Sequence, residues 1–198
     1  MTVELNRSFF NNKADQWDNI VNHNPERIQY LLGKLCLIPG ASVLDVGTGT
    51  GILLPFLLKL VGETGRITAI DVAEKMIEKA KAKFPHPNIQ FIAGDVTDAS
   101  FPPQSFDAIV CYSVFPHFIN PWETLQSMNR YLKDGGLLLI CHSESRETIN
   151  QRHKELGRSL ISHGLPPAED LEALLTEVGF KVIDKKDNEY LYFVLGKK

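Results

Sequence analysis

Short apolar runs alternate with amphipathic, helix-length segments along most of the chain. The runs are rich in β-branched residues and lie at 42–46, 66–71, 89–93, 106–111 and 136–142. Alternation of this kind predicts βαβ units, and therefore a mostly parallel, doubly wound sheet with helices on both faces. The nearly continuous apolar character of the runs agrees with strands that are covered on both sides. The fold class is therefore α/β.

The C-terminal part of the chain departs from this alternation. Apolar runs at 180–184 and 190–195 are joined by only five residues. That connection is too short for a helical crossover, so these two strands must be antiparallel. The remaining amphipathic segments predict helices over 6–22, 25–37, 144–163 and 167–178. We expect a single domain over 1–198, with a helical cap or lid at 1–38 and a helical segment at 143–179 before the hairpin.

Composition narrows the classes of partner. The chain has 198 residues and a net charge of −3, with no basic block. It therefore lacks the electrostatic footprint of a nucleic-acid-binding protein. Its three cysteines, Cys36, Cys111 and Cys141, form no C-x-x-C motif and fit a reducing compartment. Since neither a signal peptide nor a membrane span is evident, we expect a cytoplasmic protein that is a monomer or homodimer.

The first apolar run ends in a glycine-spaced turn. Gly47, Gly49 and Gly51 stand at every second position, where they let the backbone approach a ligand closely. An acid, Asp45, comes just before the turn, and a second acid, Asp71, ends the next run. The layout is typical of a nucleoside-binding α/β domain. The dinucleotide fingerprint G-x-G-x-x-G is not met, because Ile52 stands where its third glycine belongs, and the chain contains no P-loop motif.

The pattern D-x-G-x-G-x-G over 45–51 resembles motif I of the class I S-adenosylmethionine-dependent methyltransferases. The resemblance covers nearly the whole chain. It implies S-adenosylmethionine as cofactor, S-adenosylhomocysteine as product, and a Rossmann-like sheet of order 3-2-1-4-5-7-6 with an antiparallel last strand. The segment 128–140 is similar to the ubiquinone/menaquinone-methyltransferase-like subgroup (methyltransferase domain 11/25 type), which acts on small molecules.

The resemblance also implies roles for residues at the strand ends. The glycine backbone would approach the methionine part of the cofactor, and Asp45 would help to orient its ammonium group. The Asp71 carboxylate would accept hydrogen bonds from both ribose hydroxyls. Asp95 would accept one from the adenine amino group, although an acid there can also simply cap a turn. The full predicted set is Asp45, Gly47, Thr48, Gly49, Gly51, Asp71, Val72, Met76, Asp95, Val96 and Cys111.

The acceptor side is less defined. The segment after the fourth run lacks the [DNS]-P-P-[YFW] motif of enzymes that methylate DNA amino groups. The metal-binding acids of catechol-type enzymes are also missing, since the corresponding strand ends carry Cys111 and His142. His142 and His117 are candidate general bases. Histidines here could instead bind a metal or serve the structure alone, and we predict no metal site because no ligand pair has fixed spacing.

Two further groups complete the predicted acceptor side. Arg146, Asn150 and His153 follow one another at helical spacing and would share one face of a helix. Phe10 and Trp17 of the N-terminal segment would form a lid, unless they only pack an amphipathic helix.

The function predicted is methyl transfer to a small molecule, with the acceptor atom left open. A non-catalytic S-adenosylmethionine-binding sensor or scaffold is the alternative, and an NAD-dependent oxidoreductase is disfavoured by Ile52.

Overall fold

A seven-stranded sheet forms the centre of the protein, with the strand order β3-β2-β1-β4-β5-β7-β6. The computed structural model describes residues 2–157 and 160–198. The strands are β1 (Ser42–Val46), β2 (Arg66–Asp71), β3 (Ile89–Ala93), β4 (Phe106–Tyr112), β5 (Leu132–His142), β6 (Lys181–Asp187) and β7 (Tyr192–Lys197). Strands β1 to β5 pair in parallel, and β7 pairs antiparallel with both β5 and β6. The predicted fold class and strand order are confirmed.

Eight α-helices connect and flank these strands in the described part of the chain. They are α1 (Thr2–Lys13), α2 (Trp17–Ile20), α3 (Pro25–Gly33), α4 (Leu54–Val61), α5 (Glu74–Lys83), α6 (Pro121–Tyr131), α7 (Arg146–Leu156) and α8 (Ala168–Glu177). Short 3₁₀ turns lie at Ala14–Gln16 and Phe115–His117. The apolar core is divided by the sheet. Leu31 of α3 and Leu57 of α4 pack on one face, and Leu125 of α6 and Leu171 of α8 pack on the other.

Three predicted helices have different bounds in the structure, and the one predicted over 25–37 ends at Gly33. The helix predicted over 6–22 begins at Thr2 and is interrupted at Ala14–Gln16, where the 3₁₀ turn buries Ala14 against Ala73 and Met76. The helix predicted over 144–163 is also shorter. Its first turn is capped by the Ser145 side chain, which accepts a hydrogen bond from the Thr148 amide. It ends at Leu156 because Gly157 adopts φ +56°, and residues 158–159 lie outside the described part.

No helix in the described part of the chain combines the length and the apolar character that crossing a bilayer requires.

Candidate cofactor and acceptor cavity

One cavity of about 370 Å³ opens at the carboxyl ends of β1, β2, β3 and β4. This is the edge where ligands bind in open α/β sheets. Ten predicted site residues line it, namely Phe10, Trp17, Gly47, Gly49, Asp71, Val72, Met76, Asp95, Val96 and His117. The other eight lie outside its lining, namely Asp45, Thr48, Gly51, Cys111, His142, Arg146, Asn150 and His153. Sequence reasoning therefore located the cavity but not its full wall.

The three glycines of the turn after β1 serve different purposes, although all have positive φ. A Cβ on Gly47 would lie 2.4 Å from Val114 Cγ2, and one on Gly51 would lie 2.8 Å from Leu54 and 2.9 Å from Phe84. Both positions need glycine for packing within the protein. At Gly49 the nearest atom to such a Cβ would be Trp17 Nε1 at 3.8 Å. Gly49 is therefore the glycine that leaves its backbone open to a ligand.

The Asp71 carboxylate connects the end of β2 with the glycine turn. Its Oδ2 accepts a hydrogen bond from the Gly49 amide at 2.9 Å, and its Oδ1 accepts one from the Ala73 amide at 2.9 Å. Burial raises the pKa of Asp71 to about 6, against the lowering effect of these two bonds. Each carboxylate oxygen has a further lone pair. Asp71 can therefore fix the turn and still accept hydrogen bonds from a vicinal diol in the cavity.

Asp45 lies beneath the same turn and is only 1% exposed. Its Oδ2 accepts a hydrogen bond from Thr48 Oγ1 at 2.7 Å. Burial raises the pKa of this carboxyl to about 7, and the nearby Asp71 adds to the effect. The structure thus gives Asp45 and Thr48 a direct role in holding the turn together.

The far end of the cavity combines apolar and acidic groups. Val72, Met76 and Val96 line it, and Met76 and Val96 are almost completely buried. Asp95 Oδ1 accepts hydrogen bonds from the Thr97 amide at 2.9 Å and the Thr97 hydroxyl at 2.8 Å. Asp95 therefore caps a turn and also lines the cavity, and its contact with adenine stays a prediction. An apolar slot with an acceptor at its edge suits a purine base.

His117 stands on the opposite wall, in the 3₁₀ turn Phe115–His117. Its Nδ1 lies 3.2 Å from the carbonyl oxygen of Ile161, and its ring packs against Phe10 at 5.4 Å and against His153 at 4.9 Å between centroids. A carbonyl oxygen only accepts, so Nδ1 carries the proton and the neutral ring has a lone pair on Nε2. Burial and, to a smaller extent, the nearby His153 lower the pKa of His117 to about 4.

His142, the other predicted base, is enclosed at the end of β5 and is 1% exposed. Neither of its ring nitrogens has a hydrogen-bond partner among the described residues. Its ring lies 6.2 Å from that of Tyr192, whose hydroxyl also lacks a partner in the described part of the chain. Burial lowers the pKa of His142 to about 3. The side chain is neutral at physiological pH and separated from the cavity.

The three residues that were predicted to share one face of α7 have different partners in the structure. Arg146 Nε donates to Asp187 Oδ2 of β6 at 2.8 Å. The Asn150 amide bonds with the backbone of Leu165, and His153 Nδ1 lies 2.8 Å from Ser162 Oγ. Only His153 comes near the cavity, through its contact with the His117 ring. Across residues 2–157 and 160–198, no cluster of three or more His, Cys, Asp or Glu side chains could hold a metal ion.

The structure adds wall residues that the sequence analysis missed. After β4 the cavity is lined by Ser113 and Val114, whereas Cys111 is fully buried in the core, 3.7 Å from the sulfur of Met128. Ser113 has φ +57°, which turns the chain toward the cavity. The others are Val3, Asn6, Val46, Ile70, Gly94, Thr97, Asp98, Phe118, Ile119, Asn120, Glu123 and Thr124. One local signal was available, since Asn-Pro at 120–121 is typical of a helix start next to a loop.

Comparisons with known proteins agree with this geometry. The family described as methyltransferase domain matches residues 44–140. A demethylmenaquinone methyltransferase of Staphylococcus aureus (strain JH9) is 30% identical over 151 residues, which cover 74% of this chain and 62% of that protein. The chain thus spans less than two thirds of the length of such relatives.

Solved structures share the fold over almost the whole chain. An S-adenosylmethionine-dependent methyltransferase from Aquifex aeolicus has a TM-score of 0.75 and 25% identity, and the alignment covers 94% of this chain and 97% of that one. A methyltransferase from Haloferax volcanii, solved in complex with the Trm112 activator, has a TM-score of 0.82 and 18% identity, with 95% and 96% covered. The second likeness concerns the fold alone.

Proposed function

We propose that this chain, which belongs to the class I S-adenosylmethionine-dependent methyltransferases, transfers a methyl group to a small-molecule acceptor. The observation that carries the proposal is a single cavity with two unlike walls. One wall holds Asp71, Asp95 and the open backbone of Gly49. The other wall holds His117 and apolar side chains, together with the polar side chains of Asn6, Asn120, Glu123 and Thr124. Donor and acceptor can therefore lie side by side in one enclosure.

The cofactor-side residues fit S-adenosylmethionine. Gly49 leaves space at the turn, Asp71 offers acceptors for the ribose hydroxyls, and Met76 and Val96 flank a slot for adenine. When bound, S-adenosylmethionine supplies a methyl carbon that is electrophilic because it is attached to a positively charged sulfur. The protein then mainly needs to position an acceptor.

In this proposal His117 supplies the polar group that binds the nucleophile of the acceptor. Its Nδ1–H donates to Ile161, so Nε2 can accept a hydrogen bond, or a proton, from an acceptor hydroxyl or amine. A pKa lowered to about 4 keeps the ring neutral at physiological pH. Because the imidazole is fully in its neutral form, it can orient the nucleophile by accepting a hydrogen bond, although it is a weak base.

The N-terminal helices act as a lid in this proposal. Phe10 and Trp17 line the cavity, pack edge-to-face on each other at 5.5 Å, and cover Met76. Their rings exclude water from the reacting groups, which strengthens the electrostatic interactions inside.

The acceptor is a small molecule in this proposal, as the name of the Staphylococcus aureus relative suggests. The three free cysteines favour a cytoplasmic protein. We expect it to act as a monomer or homodimer, and without nucleic acid.

The test is formation of S-adenosylhomocysteine from a panel of uncharged hydroxyaromatic and quinol acceptors. His117→Gln should lower kcat by about 10²-fold or more, with cofactor affinity by calorimetry unchanged within about twofold. His86→Gln is the matched control, because His86 is exposed and remote from the cavity.

His142→Gln tests the other predicted base, and we expect a smaller loss of turnover there, since His142 does not line the cavity. Cofactor binding with no turnover on any acceptor would favour the sensor or scaffold alternative.

A further inference from the structure

A buried amide on α1 joins three segments that are distant in sequence. Asn6 is 3% exposed and lines the cavity. Its Oδ1 accepts a hydrogen bond from the Ile161 amide at 2.8 Å. Its Nδ2 donates to the carbonyl oxygens of His117 at 3.2 Å and Ile161 at 3.3 Å. Every polar atom of this side chain is thus used on backbone groups of the acceptor side.

The two segments that Asn6 holds also bond to each other. The His163 amide donates to the Pro116 carbonyl at 2.9 Å, and His117 Nδ1 donates to the Ile161 carbonyl. Ile161 therefore accepts from both Asn6 and the His117 ring through a single oxygen. We call the residues 115–118 and 160–165 together the acceptor wall. From α1, the Asn6 side chain hydrogen-bonds to both segments of the acceptor wall at once.

The opposite side of α1 is attached to the cofactor half of the cavity. Arg7 Nε donates to the Val72 carbonyl at 3.0 Å. Asn11 donates to Glu74 at 2.8 Å and accepts from the Lys75 amide at 2.9 Å. The same helix thus bonds to the start of α5 at one side and to the acceptor wall at the other.

We propose that Asn6 is a positioning residue, which sets the placement of His117 toward the acceptor by hydrogen-bonding the backbone of the acceptor wall to α1. This inference rests on the proposed function. Asn6 transfers no proton and contacts no reacting atom. It acts through His117, whose carbonyl it binds directly and whose ring shares the Ile161 carbonyl with it.

The chemistry of the contact requires a carboxamide. Asn offers one acceptor for the Ile161 amide and donors for two carbonyl oxygens. A carboxylate of the same shape would keep the first bond but would turn an acceptor toward both carbonyls, where like partial charges repel. Alanine would leave the Ile161 amide and the His117 carbonyl without this partner, and would leave the Ile161 carbonyl with the His117 ring alone.

The test compares Asn6→Asp with Asn12→Asp at pH 8. Asn12 lies on the same helix and is exposed, so its variant introduces the same charge without touching the acceptor wall. Amide hydrogen exchange is read at Ile161, with amides of β1 and β4 as the control for global folding. We expect exchange at Ile161 to be at least tenfold faster in Asn6→Asp and unchanged in Asn12→Asp. Asn6→Ala serves as the second variant, should the buried charge prevent folding.

The functional readout separates positioning from stability. Turnover is expressed per cofactor-binding site, counted by calorimetric titration with S-adenosylhomocysteine, so unfolded protein does not contribute. We expect kcat per site to fall tenfold or more in Asn6→Asp, with cofactor affinity within threefold of the wild type. Faster exchange at Ile161 with unchanged kcat per site would overturn the positioning role, and so would unchanged exchange. If the wild type binds cofactor and turns over no acceptor, the proposed function fails. In that event exchange at Ile161 still decides the contact itself, and unchanged exchange overturns it.

Discussion

The two halves of the cavity are built on different principles. The cofactor half is made by strand ends and the turns that directly follow them, and its key groups are backbone atoms and the carboxylates that bond to them. Asp71 bonds to amides only 22 and 2 residues away. The acceptor half is assembled from α1 and from segments that are far apart in sequence, since Asn6 bonds to residues 111 and 155 positions away.

The two halves therefore differ in how tightly their residues are constrained. The cofactor half is constrained by strand geometry, because Gly47 and Gly51 must lack side chains for the turn to pack against Val114 and Phe84. The acceptor half consists of loops and a helix held by side-chain hydrogen bonds. Its residues can change without disturbing the sheet, which is why one fold can serve many acceptors.

Substitutions in the glycine turn should have the largest effects, and they test whether packing and ligand binding are separate within the cofactor half. Gly47→Ala should destabilise the protein by about 2–4 kcal/mol, because alanine is strained at φ +70° and its Cβ would collide with Val114. Gly49→Ala should cost only about 1 kcal/mol, since space is open there, yet it should weaken S-adenosylhomocysteine binding. Urea denaturation and calorimetry measure the two effects. Equal stability losses would show that the turn does not separate packing glycines from a ligand-facing one.

The same contrast explains how much the sequence could reveal. Strand-helix alternation predicted a mostly parallel α/β sheet, because it depends on neighbouring residues. The strand order and the residues expected in the cofactor half were implied by the family resemblance that the motif over 45–51 carries. Asn6 could not be found in that way. It is one of three asparagines within residues 6–12 of an ordinary amphipathic segment, and its partners only become neighbours after folding.

Local reasoning also failed for the residues of α7 and for the end of β4. Arg146, Asn150 and His153 do share helical spacing, but their surroundings differ, and Arg146 faces Asp187 of the hairpin. Cys111 was placed at the cavity because β4 was expected to end there. The strand continues to Tyr112, so the turn at Ser113 and Val114 reaches the cavity instead.

A second prediction sharpens the role of the cofactor half. Asp71→Asn replaces one acceptor oxygen by a donor, so one bond to the turn or to the ligand is lost. We expect cofactor binding to weaken by about 1.5–3 kcal/mol, the usual range for hydrogen bonds to a charged group. Asp95→Asn is the comparison, with an expected loss of about 1 kcal/mol for a single hydrogen bond. Calorimetry at pH 8 measures both, and equal losses would contradict a dominant role for Asp71.

The smallest effect concerns Asp45, which lies under the turn. Its pKa is raised to about 7 in the folded protein, against about 3.9 in an unfolded chain. The ionised carboxylate therefore costs folding free energy, and stability that is present at pH 4 is lost as the pH rises toward 7. Asp45→Asn can still accept the Thr48 hydrogen bond and removes this titration. Between pH 6 and 7 the wild type should lose about 1 kcal/mol more than the variant.

Urea denaturation of both proteins at each pH checks the difference, which includes the charge coupling between Asp45 and Asp71 that the variant removes. Calorimetry on the same samples at pH 8 then separates the two roles of Asp45. If this carboxylate only holds the turn, Asp45→Asn should change cofactor affinity by less than threefold. A large loss of affinity without the stability difference would instead place the ionised Asp45 against the cofactor's ammonium group. The buried acid would then belong to the binding surface of the cofactor half and no longer to its support.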